Sequence, residues 1–210
     1  MNSLQAIAAA ELCGIDVSLS CAAIEKMNSV SGRLEKVTDD PENNNDISVF
    51  IDYAHTPDAL ENLLRTAMGF RKTGGRLVLL FGCGGDRDKS KRAVMGTLAS
   101  RLAVAVIVTS DNSRSEDPIS IIQDILEGID PSKPYTVIPD RADAIRYAIE
   151  NARSGDLILL AGKGHEEYEI DREGRKIFSE KEIVRAAFEA LCKNRQMTKA
   201  ETDADDPGHS

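Results

Sequence analysis

The chain has 210 residues, 41% hydrophobic and 29% charged, the balance of a soluble globular domain with short appendages. A formal net charge of -9 argues against a nucleic-acid partner, which would require clustered positive charge. No apolar run reaches the roughly 18 residues of a membrane span, and the N-terminus lacks the basic segment of a secretory signal.

The elements can be read in order. NSLQAIAAAELCG has apolar residues at helical spacing and closes on Gly14, and SLSCAAIEKM predicts a second helix capped by Ser18 or Ser20. SGRLEKV predicts a short strand, and residues 39–46 a polar, turn-rich loop. An alternation then begins: strand ISVFIDY, a helix opening at Pro57 and stopped by Gly74 and Gly75, strand RLVLLFG, helix KSKRAVMGTLASRL, strand AVAVIVTS, a helix from Pro118 stopped by Gly128, strand YTVIP, helix RADAIRYAIENA and strand DLILLAG. Such alternation predicts an α/β fold with a Rossmann-like, doubly wound, mostly parallel sheet. Glu173-Gly174 marks a hairpin, and Ser179 with Glu182 predicts the capping box of a closing helix. Residues 193–210 lack a core-forming pattern and are expected to be disordered.

The four cysteines, Cys13, Cys21, Cys83 and Cys192, show neither zinc spacing nor a disulfide framework, which fits a reducing cytoplasm. No metal site is assigned.

Ligands of open parallel sheets bind beyond the carboxyl ends of the strands. Here those ends run into DYAHTPD, GCGGDRD, DNSRSEDP and GKGHEEY. The expected edge carries Asp52, His55, Asp86, Arg87, Asp88, Asp111, Asn112, Arg114, Glu116, Lys163, His165 and Glu166. Some of these can be ordinary caps, with Asp111 or Ser115 serving the helix at Pro118 and Asp58 serving the one near Pro57. Neither standard phosphate fingerprint fits: G-x-G-x-x-G meets Arg87 at its third glycine, G-x-x-x-x-G-K-[ST] has no match, and AGKG has Gly164 where a hydroxyl would hold magnesium. His55 and His165 can serve as a base or as ligand-orienting groups. No hydrolase triad or carboxylate pair is legible.

Taken in this order, SGRLEKV, FIDYAHTPDALENLL, GCGGDRDKSKR, TSDNSRSEDP and AGKGHEEYE resemble the C-terminal part of the Mur ligases, and within them the diaminopimelate-adding tripeptide synthetases. The resemblance implies residues 1–30 as the last helices of a central ATPase domain, 31–192 as the C-terminal domain and 193–210 as the tail. It also implies that the chain is part of a longer bacterial, cytoplasmic enzyme. That enzyme joins meso-diaminopimelate to UDP-N-acetylmuramoyl-L-alanyl-D-glutamate, using ATP and Mg2+, for peptidoglycan.

By the resemblance, Arg87, Asp111, Asn112, Ser113, Arg114, Gly162 and Glu166 bind diaminopimelate, with Ser113 where the D-N-P-R box has proline. Arg33, Asp52, Tyr53 and His55 match the ATP-facing side. No catalytic residue is expected within this chain, which by itself would neither turn over ATP nor hold it tightly. The missing N-terminal and central domains are its implied partners, and neither nucleic acid nor membrane is implied. Gly32 is expected to give hinge freedom for closure on ATP. Alternatives are an L-lysine-adding or other Mur ligase, a folylpolyglutamate synthase domain, or a non-catalytic binding module.

Overall fold

The computed structural model describes residues 2–26, 30–37 and 46–204. The loop expected over residues 39–46 lies outside them except for Asp46. The chain divides into two compact units, Met1–Val30 and Ser31–Ser210. The first contains helices α1 (Asn2–Leu12) and α2 (Val17–Glu25). Gly14 takes φ +81 between them. Asp16, rather than Ser18 or Ser20, caps α2 by accepting the Ser18 N–H at 2.8 Å. Leu4, Leu12 and Leu19 are exposed.

The second unit runs β1 (Glu35–Lys36), β2 (Ser48–Asp52), α3 (Pro57–Phe70), β3 (Leu77–Phe81), α4 (Ser90–Leu102), β4 (Ala105–Val108) and α5 (Pro118–Leu126). It continues with β5 (Tyr135–Val137), α6 (Arg141–Glu150), β6 (Leu157–Ala161), β7 (Tyr168–Asp171), β8 (Gly174–Ile177) and α7 (Glu180–Ala204). Six strands form one sheet in the order β1-β2-β6-β3-β4-β5, parallel except for β1, and β7 and β8 form the expected hairpin.

Alternation along β3 and β6 explains why both strands are wholly apolar. Leu77, Leu79, Phe81, Leu157 and Leu159 pack on one face, with Leu60 and Leu64 of α3, Met95 of α4 and Ile122 and Ile125 of α5. Val78, Leu80, Ile158 and Leu160 pack on the other, with Ala144, Ile145 and Ile149 of α6 and Val184 of α7. Two covered faces leave no polar side for these strands.

Helix starts follow local rules. Thr56 caps α3 ahead of Pro57, and Asp58 lies inside the helix. Asp117, not Asp111 or Ser115, caps α5, which frees the latter two for the loop network. Ser179 accepts the Glu182 N–H at 3.4 Å, one half of the expected capping box. The tail differs from expectation: α7 runs on to Ala204 instead of ending near Lys193. Met, Lys, Ala and Glu in NRQMTKAET are strong helix formers, so a helix already nucleated on the core extends without an apolar face of its own.

At the amino edge of the sheet, Asp156 precedes β6 and is 1% exposed. Its carboxylate accepts the N–H groups of Arg76 and Arg153, both at 2.8 Å, and pairs with the Arg76 guanidinium at 2.5 Å. Burial alone would raise the Asp156 pKa, but the Arg76 contacts and the Arg153 N–H outweigh it and hold the pKa below the ordinary carboxylate value.

Candidate functional site

Register aligns the carboxyl ends of the strands: Asp52 pairs with Ala161, Ala161 with Phe81, and Phe81 with Val108. The four polar loops therefore leave the sheet side by side. They touch through backbone, which explains several of the glycines: a Cβ on Gly82 would collide with the Thr109 carbonyl, and one on Gly85 with the Ser113 carbonyl.

The GCGGDRD and DNSRSEDP loops are bound into one structure. Gly85 N–H donates to the Asn112 carbonyl at 2.9 Å. Arg114, at φ +52, donates through Nη1 to the Gly85 and Asn112 carbonyls at 2.9 and 3.2 Å, and its N–H donates to the Ile170 carbonyl at 3.0 Å. Asp86, also at φ +52, accepts the Ser115 hydroxyl at 2.6 Å, while its own N–H donates to Glu116 at 2.6 Å. Asp86 and Glu116 are thus loop braces. So is Asp88, which accepts from the N–H and hydroxyl of Ser90 at 2.9 and 2.7 Å. Arg87 stands apart: it is exposed, and its Nη1 donates to the Asp86 carbonyl at 3.1 Å.

Beneath this pair of loops lies Arg92, a buried cation of α4. It donates to both Glu116 oxygens at 2.9 and 3.0 Å, to Asp124 at 2.7 Å and to the Gly84 carbonyl at 3.3 Å. The Arg92 side chain, with the Asp86 N–H, lowers the Glu116 pKa to about 2.

The GKGHEEY loop joins the same network. Gly162 takes φ +120 with its Cα facing the Asp111 carboxylate, which a Cβ would meet at 2.6 Å. Asn112 Nδ2 donates to Glu166 Oε2 at 2.8 Å, and Asn112 Oδ1 accepts from Lys163 Nζ at 3.0 Å. Asp111, Asn112 and Ser113 are buried, while Arg114 and Glu166 are partly open. Burial pushes the Lys163 pKa down, opposed by Asp111, and pushes the Glu169 pKa up, opposed by Lys163 and Arg141.

On the other flank, the Arg33 guanidinium lies 5.0 Å from the Tyr53 ring centroid. Tyr53 in turn stands 4.7 Å from the His55 ring in an edge arrangement and 5.5 Å from the His165 ring. These four residues form one cationic and aromatic patch. Asp52 plays a different part, since its oxygens accept the Leu34 and Ala54 N–H groups at 2.7 and 2.8 Å and so fix the loop beneath the patch. Gly32, expected as a hinge, is closely packed. At φ +69 its Cα abuts the backbone of Gly164 and His165, leaving no room for a Cβ, and its N–H donates to Glu35 at 2.7 Å.

The family model described as Mur ligase, glutamate ligase domain, matches residues 32–164. The chain belongs to the Mur ligase family. It is 50% identical over 187 residues to the UDP-N-acetylmuramoyl-L-alanyl-D-glutamate--2,6-diaminopimelate ligase of Trichormus variabilis, covering 89% of this chain and 37% of that protein. It is 49% identical over 183 residues to the ligase of the same name from Clostridium botulinum, covering 87% of this chain and 37% of that protein. A solved structure of a ligase of that name superposes with a TM-score of 0.70 at 39% identity, over 89% of this chain and 37% of that one. The chain thus spans 37% of the length of these relatives. The UDP-N-acetylmuramate-alanine ligase of Thermotoga maritima, with a TM-score of 0.59 and 22% identity over 93% of this chain and 37% of that one, shares the fold.

Sequence reading of this Mur ligase domain did not single out its buried cations Arg92 and Arg141, and it counted Lys163 only among the polar groups of the edge. Arg141 donates to Glu180 at 2.9 Å and to the carbonyls of Ser110 and Ala161 at 3.2 and 2.9 Å, tying the ends of β4 and β6 to α7. One signal was available for Lys163: it sits between two glycines directly after a buried strand. Among the described residues of the Mur ligase domain, no cluster of His, Cys, Asp or Glu could hold a metal ion, and no helix is long and apolar enough to cross a membrane.

Proposed function

We propose that this chain is the amino-acid-binding domain of an ATP-dependent ligase that adds meso-diaminopimelate to UDP-N-acetylmuramoyl-L-alanyl-D-glutamate in the bacterial cytoplasm. One observation carries the reading. Asn112 holds a cation on one side, through its carbonyl and Arg114, and a carboxylate on the other, through its amide and Glu166. Arg114 and Glu166 form no ion pair with each other among the described residues, so each keeps capacity for a ligand. An amino-acid end carries one carboxylate and one ammonium and fits such a divided pair.

Arg114 binds the far carboxylate, Glu166 accepts from the far ammonium, and exposed Arg87 takes a carboxylate of the near end. Asp111 and Gly162 set the spacing beneath. The Ser113 N–H donates no hydrogen bond among the described residues, so a proline at this position would remove none. In the longer enzyme, ATP with Mg2+ would supply the phosphoryl group that activates the dipeptide carboxylate. The patch of exposed Arg33 and His55 with half-buried Tyr53 suits the nucleotide side, and Asp52 supports it. The domain's share of the chemistry is to present the free amine and to exclude water from the activated acyl group.

The test is calorimetric titration of the chain with meso-diaminopimelate and with L-lysine. Saturable heat from both is expected, with diaminopimelate bound much more tightly than L-lysine. Equal affinity for both, or no saturable heat from either, overturns the reading.

A further inference from the structure

Lys163 is wholly buried just past β6. Its flanking glycines take φ +120 and +56, and a Cβ on either would crowd Asp111 or Tyr53, so the backbone beneath this lysine is tightly fixed. Its ammonium donates to Asn112 Oδ1 and to the Tyr168 carbonyl, both at 3.0 Å, with Asp111 Oδ1 at 3.8 Å and the Phe178 ring centroid at 5.3 Å. Asn112 Oδ1 also accepts the Ile170 N–H at 2.9 Å. Two donors converge on one end of the amide, so that end must be the oxygen. The NH2 end is thereby turned onto Glu166 Oε2 at 2.8 Å. A flipped amide would set its N–H groups against an ammonium and a backbone N–H, and its oxygen against a carboxylate.

We propose that Lys163 is a positioning residue that fixes the Asn112 amide, so that one Glu166 oxygen is occupied and the other is left for the ammonium of the amino-acid ligand. The ligand named here rests on the functional reading above, but the geometry of the relay does not. Lys163 touches no ligand in this scheme. It acts through Asn112, and burying a cation at this point is offset by Asp111 and by two good acceptors. The Ile170 N–H alone is a weaker guide, because it belongs to the β7–β8 hairpin rather than to the central sheet.

The test uses Lys163→Met, which keeps the stem and removes the donors. Side-chain amide signals of Asn112 are followed by NMR, diaminopimelate affinity by calorimetry, and melting separately. The Asn112 signals should leave their hydrogen-bonded position, and affinity should fall about tenfold. In an Asn112→Ala background, Lys163→Met should cost less than about twofold, since the relay is already broken. Unmoved amide signals, or an equal loss in both backgrounds, overturns the proposal.

Asn112→Asp gives a second route should Lys163→Met not fold. Its carboxylate would pair with Lys163 and turn its other oxygen onto Glu166, so it should bind diaminopimelate more weakly than Asn112→Ala. Binding at the wild-type level overturns the proposal. A wild-type chain that binds no diaminopimelate removes only the functional reading, because the amide signals still decide the role of Lys163.

Discussion

At the amino edge of the sheet, Asp156 spends its carboxylate on two backbone N–H groups and the Arg76 side chain, all within its own fold. At the carboxyl edge, the Arg114 guanidinium is anchored through one nitrogen and the Glu166 carboxylate through one oxygen, and both residues are partly open. The same residue types thus do different work according to how many of their polar atoms are already used. A saturated charge locks a strand start, while a half-saturated one is held in place yet still able to bind. Arg92 places a further charge one layer down at the carboxyl edge: its two Nη atoms pair with Glu116, Asp124 and the Gly84 carbonyl, while its Nε has no hydrogen-bond partner among the described residues.

Arg114→Ala should separate the two edges most sharply. A desolvated charge pair with the far carboxylate of diaminopimelate would be lost, costing about 2–5 kcal/mol, or on the order of 30-fold to several thousand-fold in affinity. L-lysine lacks that carboxylate, so its weak binding should change much less. Parallel titrations with both amino acids check this, and equal loss for both would make Arg114 structural.

Asp156→Ala should do the reverse. It leaves a partly buried guanidinium and two N–H groups without their acceptor, a loss of about 3 kcal/mol in urea unfolding, with diaminopimelate affinity unchanged in the folded protein. Acid sharpens the point. The Asp156 pKa is depressed below the ordinary carboxylate value in the fold, so its contribution is fully present above the unfolded-state value and fades as pH falls through the folded one. Wild type and Asp156→Ala should therefore converge in stability as pH falls through the depressed folded-state value, as followed by unfolding at stepped pH.

Gly32→Ala tests whether the two kinds of region communicate. A Cβ there meets the backbone of the loop that carries Lys163 and Glu166, at a φ that disfavours side chains. Stability should drop by about 1–3 kcal/mol, with a measurable fall in diaminopimelate affinity. Unchanged stability and affinity would show that the contact with the Gly164 and His165 backbone does not limit this position. The smallest change is expected from Ser113→Pro, which removes no hydrogen bond found among the described residues. Discrimination between diaminopimelate and lysine should stay within about twofold by titration.

The order of elements and the four loops were legible because strands covered on both faces read as continuous apolar runs, and because parallel connections put their loops on one edge. The charged residues within those loops were legible only as a group. Nothing in GCGGDRDKSKR distinguishes exposed Arg87 from buried Arg92, since burial is decided by Glu116 and Asp124, which lie 24 and 32 residues further along. The close packing of Gly32 was not legible for a related reason. Glycine suits a hinge and a close approach equally well, and only the neighbouring Gly164 and His165 backbone distinguishes them. The length of α7 was missed because a helix that continues by propensity has no apolar stripe to announce it.

Strand β6 lies between β2 and β3, so the two earlier strands have no shared hydrogen bonds until a strand made about a hundred residues after β2 arrives between them. Assembly therefore cannot proceed as a simple sweep along the emerging polypeptide. The half built from β3, β4 and β5 can zip together as it is synthesised, whereas β2 must wait with an unpaired, apolar flank. Such late, long-range pairing slows folding and lengthens the interval of vulnerability to aggregation. In pulse-labelled hydrogen exchange during refolding, the amides of β3 and β4 should gain protection before those of β2. Earlier protection of β2 would show that it finds β6 first.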